Sequence, residues 1–165
     1  MLPETEFRTL SVTETEPLDR TNAGTVLVNG ASLDFGTVDT TDEARDIPVT
    51  ALWWRVTDMN GATEISNVRI WLDGADAYSG SSAFYSDISD SWVEGKSAVE
   101  VRDGSPGNAP LTRPTSNITK LGGGVITGTS HDECSQYIYI AGTIAVDETI
   151  GDKSGMSLRV EFDYR

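Results

Sequence analysis

The 165-residue chain is expected to fold as an all-β, antiparallel β-sandwich of the immunoglobulin-like or jelly-roll kind. Three observations point there. Apolar residues recur at a period of two along VTALWWRVTD, EISNVRIWLD, QYIYIAGTIAV and SLRVEFDYR. These runs are separated by turns rich in glycine, proline and Asn-Gly. No segment carries the length and 3.6-residue spacing of a competing helix. The spacing of the turn signals predicts roughly seven to nine strands.

Residues 1–23 alternate charges with Thr, Ser and Pro, and Leu2, Phe7, Leu10, Val12 and Leu18 are too widely spaced for a core helix. They are expected to form an extended N-terminal arm beside a single β-sandwich domain over 24–165. The arm either frays or lays Phe7, Leu10 and Leu18 on a neighbouring subunit; its alternative is an edge strand of its own domain. Thr25–Val28 reads as a short strand ended by Asn29-Gly30. Leu33, Phe35 and Val38 alternate with Asp34 and Thr37 as a strand with a kink at Gly36. After an acid-rich loop, Pro48 opens the strand Val49–Asp58, in which Leu52, Trp54 and Val56 are expected to point inward and Trp53 outward. Asn60-Gly61 signals a hairpin to a strand carrying Ile65, Val68, Ile70 and Leu72, with a bulge near Asn67 and Trp71 on the opposite side.

Gly74–Gly95 reads as a long loop bearing Tyr78, Phe84, Tyr85 and Trp92, and loops of that length are often functional. Lys96–Arg102 is expected to be a brief strand, and Asp103–Pro114 a loop. Ile118–Leu121 and Val125–Thr129 read as one strand interrupted by Gly122-Gly123-Gly124. Gln136–Val146 sets Tyr137, Tyr139 and Ala141 against Ile138, Ile140 and Gly142, with Ile144 and Val146 expected inward, and Asp147–Gly155 is a polar turn region. Ser157–Arg165 closes the chain with Leu158, Val160, Phe162 and Tyr164 on one face.

The stretch from LDFGTV to the Asn-Gly turn resembles the opening of immunoglobulin-like modules of the ASPM/hydin type. Phe35, Gly36, Val38, Asn60 and Gly61 carry the resemblance, which covers about a quarter of the chain. Similar openings occur in small immunoglobulin-like proteins on the heads, necks and tails of tailed-phage virions. The resemblance implies a sandwich fold and a place on a virion.

Net charge is −14, from 26 acidic against 12 basic residues. Nucleic acid and anionic membrane are therefore not expected partners, because phosphate neutralisation needs clustered Lys and Arg. Cys134 is the only cysteine, so no intrachain disulfide forms. No run approaches the roughly 18 apolar residues of a membrane-spanning helix. MLPETEFRTL lacks the basic and apolar regions of a secretion signal, so action outside a cell would follow assembly inside a host or loss of a leader.

His131, Asp132, Glu133 and Cys134 bring three ligand types into GTSHDECSQ. Neighbours on an extended chain face opposite ways, however, and zinc draws ligands from at least two segments, so a solvated turn is expected. The acidic sets Asp39/Asp42/Glu43, Asp73/Asp76, Asp87/Asp90 and Asp147/Asp152 offer oxygen ligands for calcium without EF-hand spacing. One histidine and no G-x-S-x-G elbow do not make a serine triad. Gly95-Lys96-Ser97 lacks the upstream glycine of a phosphate loop, with Asp90 in its place. No enzyme, metal or cofactor is expected.

The expected function is non-enzymatic. The chain is read as a structural protein of a larger assembly, most concretely a phage virion decoration, cement, neck or tail accessory protein. It would be assembled in the host cytoplasm and partnered by capsid or tail proteins or sister subunits. Trp53, Trp71, Tyr78, Phe84 and Tyr85, with Phe7, Leu10 and Leu18 of the arm, are the candidate interface residues, since aromatics concentrate at interface hot spots. The rival is an extracellular carbohydrate-binding module that stacks a glycan on exposed Trp and Tyr.

Overall fold

The computed structural model describes residues 1–27, 33, 35–74, 78, 80–104, 106–108, 114–151 and 156–165. The chain is 42% strand and 4% helix, which meets the all-β expectation. The strands are β1 (Glu4–Ser11), β2 (Thr25–Leu27), β3 (Arg45–Asp46), β4 (Thr50–Asp58), β5 (Ile65–Asp73), β6 (Ala83–Ser89), β7 (Pro106–Asn108), β8 (Tyr137–Ile144) and β9 (Ser157–Tyr164). One short helix, α1 (Ala98–Arg102), lies between β6 and β7. Among the described residues all pairings are antiparallel. Seven strands share one sheet in the order β2-β1-β4-β8-β6-β7, with β3 paired to β8; β5 and β9 form the second sheet.

The larger sheet is buried on both faces. On one face Phe7, Leu52, Trp54, Ile138, Ile140 and Phe84 pack against Ile65, Ile70, Leu72 and Leu158 of the second sheet. On the other, Ala51, Trp53, Tyr137, Tyr139 and Ala141 form a second cluster with Val101 and Cys134. Leu10, Val12, Ala23, Trp92 and Leu121 cover it. Trp53 is therefore buried, with 0% of its surface exposed, and its expected outward placement is overturned. The near-continuous apolar runs LWW and YIYIAG are what a strand covered on both faces requires.

The N-terminal arm is also corrected. β1 lies between β2 and β4, in register with β4 from Thr5 opposite Val56 to Ser11 opposite Thr50, with a one-residue shift between Glu4 and Thr5. Phe7 is 1% exposed in the main core. Gly24, at φ 71°, makes the return to β2 possible, because a Cβ there would collide with the Thr9 carbonyl. All eight residues pair with β4 and Phe7–Thr9 also pair with β2, and this backbone pairing outweighs the sparse apolar content that suggested an arm.

The Asn60-Gly61 turn forms, with φ of 49° and 88°, but it does not close a hairpin. It carries the chain from β4 in the larger sheet to β5 in the second, whose partner is β9. The bulge at Asn67 is present, with φ 52° and a register shift between Ser66 and Arg69. Within the expected 74–95 loop, β6 pairs with β8 over seven residues. Its inward positions Phe84, Ser86 and Ile88 are diluted by serine, which hid the alternation.

Lys96–Arg102 is helical in part rather than a strand. The Ser97 hydroxyl accepts from the Glu100 N–H and Glu100 accepts from the Ser97 N–H, a capping box that starts α1. Residues 33 and 35–38 are not a strand, although Leu33, Phe35 and Val38 pack on the core. The 118–129 segment makes single bridges, Ile118 to Val68 and Ile126 to Ile65, along β5. Val28, the Asn29-Gly30 turn, Asp34, Asp76, Asp152 and half of the expected 103–114 loop lie outside the described residues, and within that loop Pro106–Asn108 form β7 against β6.

Between the sheets, the Ser86 hydroxyl and the Trp54 indole N–H are buried with no hydrogen-bond partner among the described residues. A void of about 20 Å³ beside Ser86 is lined by Ile70, Leu72, Ile138, Ile140 and Leu158. An unmet buried hydroxyl costs about 1–3 kcal/mol. Ser86→Ala is therefore expected to raise stability by about 1 kcal/mol in urea denaturation. A loss of that size instead would mean that the hydroxyl has a partner.

Candidate functional site

The candidate interface residues scatter. Phe7, Trp53 and Phe84 are buried in the chain's own clusters and are not available to a partner. Leu10 and Tyr85 pack against the second cluster. Leu18 stands 93% exposed. Trp71 is part-exposed on β5, opposite Arg159 of β9. Tyr78 packs edge-on to Phe84, with ring centroids 5.0 Å apart. Burial of Trp53 also removes it from the glycan-stacking role.

The second cluster is bound together by an arginine that sequence reasoning passed over. Arg20 enters beneath the 12–23 segment and donates to the Tyr137 hydroxyl (3.2 Å), the His131 carbonyl (3.0 Å) and Asp132 (3.0 Å). Trp53 Nε1 donates to the Arg20 carbonyl at 3.0 Å, and Trp92 Nε1 to the Glu14 carbonyl at 2.9 Å. Trp92 packs edge-on to Tyr137 at 5.3 Å, and the Lys96 ammonium sits 4.7 Å above the Tyr139 ring. Cys134 is buried and donates to the His131 carbonyl, so GTSHDECSQ is a structural turn. Among the described residues no group of three or more His, Cys, Asp or Glu side chains is placed to hold a metal ion.

Burial pushes the Tyr137 and Tyr139 hydroxyls above the ordinary tyrosine value of 10.0; at Tyr137 Arg20 opposes the shift and Glu16 adds to it. Their folded values are raised, so the stability they contribute is complete below about pH 10 and is lost as the pH rises further. The unfolded chain ionises first. Thermal melts are expected to hold level from pH 7 to 9 and fall above about pH 10, less steeply for Tyr137→Phe. An equal fall in that variant would remove Tyr137 as a source.

A broad cleft lies elsewhere, between residues 35–41 and 146–151, with a volume of about 860 Å³. Its floor is Ile47 and Ile144, both members of the main core. Phe35, Val38 and Tyr78 line its sides. At the rim Ile150 is wholly exposed, and Val146, expected inward, is 53% exposed because β8 ends at Ile144. The 145–148 turn is bolted to residues 80–82. Asp147 accepts from the Ser81 N–H (2.8 Å) and hydroxyl (2.7 Å), and Glu148 from the Gly80 N–H (3.0 Å) and the Ser82 hydroxyl (2.8 Å). A Cβ on Gly80 would stand 2.8 Å from the Glu148 nitrogen, so only glycine permits this approach.

On the opposite wall Asp39 accepts from the Thr41 hydroxyl (2.6 Å) and N–H (3.0 Å), which hold its carboxyl below the usual range. Ser81 does the same for Asp147. Both are ionised at neutral pH. Asp39 and Asp147 were singled out in the sequence as possible calcium ligands; Val146 and Ile150 were not singled out as site residues. Isoleucine in the otherwise polar DETIGD was the available signal.

No family profile, no curated protein and no solved structure matches this chain. What the geometry defines is an all-β antiparallel protein with a broad, apolar-floored cleft at the margin of its core.

Proposed function

We propose that this chain is a non-enzymatic structural protein of a larger assembly, seated on its partner through the cleft between residues 35–41 and 146–151. A virion surface, neck or tail position is the placement implied by the resemblance of its Phe35–Gly61 stretch to immunoglobulin-like modules. The observation that supports the role is the pair Ile150 and Val146, exposed apolar side chains at the rim of a cleft on a strongly acidic protein. Exposed apolar surface rimmed by polar residues marks a contact with another macromolecule. An enclosed small-molecule pocket would instead turn such side chains inward.

The test is co-expression with the products of the genes that flank its own, followed by density-gradient purification of any particles. The chain is expected in the particle fraction. Recovery only at the top of the gradient, with particles formed normally, would overturn the role.

A further inference from the structure

We infer that the outer face of the second sheet is a sugar-binding platform, on which a neutral β-linked pyranose of glucose or xylose configuration stacks against Trp71. This face shares no described residue with the cleft, so its role does not depend on the assembly proposed above. Alternation along the two strands builds it. On β5 the side chains of Val68, Ile70 and Leu72 are buried in the main core, which leaves Arg69, Trp71 and Asp73 on the other face. On β9 Leu158 and Val160 turn inward, and Arg159, Glu161 and Asp163 turn outward. Trp71 lies directly opposite Arg159, belongs to neither core cluster and is part-exposed.

The polar groups beside the indole are held in place by one another. Arg69 donates to Asn117 Oδ1 (2.9 Å), Asn117 to Asn67 Oδ1 (3.0 Å) and Asn67 to Asp163 Oδ2 (2.7 Å). Arg69 also faces Glu161 at 3.5 Å, and Arg159 donates to Asp73 at 2.8 Å. The Ile118–Val68 bridge brings Asn117 alongside Arg69. Asn67 enters the row through the bulge, at a φ of 52° that a residue other than glycine seldom takes. A ligand therefore meets groups already positioned, and little ordering is left for binding to impose.

The same features select the ligand. An indole offers a flat apolar surface to the axial C–H groups of a pyranose, while amides and carboxylates beside it keep spare acceptors and donors for equatorial hydroxyls. Each of these arginines is matched by a carboxylate, and the chain as a whole carries −14, so an anionic glycan is repelled. A protein partner would need an apolar centre to the contact. The described neighbours of Trp71 on this face, Arg69, Asp73 and Arg159, are all charged.

The experiment titrates the full chain calorimetrically with cellohexaose, xylohexaose and hexagalacturonate. At least one of the two neutral hexamers is expected to bind, and the anionic one at least about tenfold more weakly. Trp71→Ala is expected to weaken the neutral hexamer by about tenfold or more, Trp71→Phe by less, and Asn117→Ala by about threefold or more. Tyr164→Ala, which removes another exposed aromatic of β9, is expected to change it by less than about twofold. Because Trp71 lies outside both core clusters, Trp71→Ala is expected to melt with the wild type.

Failure of both neutral hexamers to bind would overturn the platform. So would hexagalacturonate binding as well as they do, or binding indifferent to Trp71→Ala. Should Trp71→Ala melt early, Asn117→Ala, a substitution at an exposed residue, decides in its place, and unchanged binding in that variant overturns the platform. If neither neutral hexamer binds while Trp71→Ala drops out of the particle fraction, the face is a protein contact and not a sugar site. If a neutral hexamer binds through Trp71 while the wild-type chain stays off particles, the assembly role is wrong and the platform stands.

Discussion

Deletion of residues 1–11 is expected to abolish cooperative folding. β1 is an interior strand, so its loss removes the ladder that satisfies one whole side of β4 and separates β2 from the sheet. Phe7 leaves the main core, a loss of about 1.5–3 kcal/mol in buried apolar surface alone. The Thr9 hydroxyl, which donates to the Ala51 carbonyl at 3.0 Å, goes with it. So does Glu6, whose carboxylate lies between Arg8 (2.7 Å) and Arg55 (2.8 Å) and leaves Arg55 nearly buried without that partner. Against a typical total stability of about 5–15 kcal/mol, these losses are of the same order as the whole. Circular dichroism melts of the truncated chain should show a broad transition or none. An unchanged melting temperature with weakened assembly would instead restore the arm on a neighbouring subunit.

Trp53→Ala is expected to cost about 3–5 kcal/mol, the range for removing a fully buried aromatic side chain. The cavity would open beneath the 12–23 segment, where Trp53 packs edge-on to Tyr137 at 6.2 Å and its indole N–H holds the Arg20 carbonyl. Loss of that bond also loosens the anchor of Arg20, whose guanidinium joins the segment to Tyr137 and Asp132. Guanidinium denaturation should show the midpoint falling steeply, and proteolysis should gain cuts within residues 12–23. A cost below about 1 kcal/mol, as at an exposed site, would mean that the outer face of the larger sheet is not covered.

The cleft was the least legible part of the sequence. Its walls come from loops about a hundred residues apart, and neither loop has a motif. Asp39 and Asp147 drew notice as acids, yet what they do is accept hydrogen bonds from Thr41 and Ser81 and so set the loop shapes. The exposure of Ile150 becomes informative only once Val146, Ile144 and Ile47 are seen beside it.

The sequence by itself determined where most of the longer strands lie and which side chains share a face. Leu158, Val160 and Phe162 turn one way along β9, and the bulge sits at Asn67, because alternation and left-handed φ are properties of neighbouring residues. Tertiary structure alone decided which sheet each strand joins. Asn60-Gly61 turns equally well into a hairpin or across to a second sheet, and β5 takes the second course because Ile65, Val68, Ile70 and Leu72 bury themselves over β4, β6 and β8 while pairing with β9. It also decided the fate of Trp53. An alternating strand specifies two faces, but whether the second is wet or covered depends on distant chain, here Arg20, Trp92 and α1, brought over it by burial rather than by any local preference.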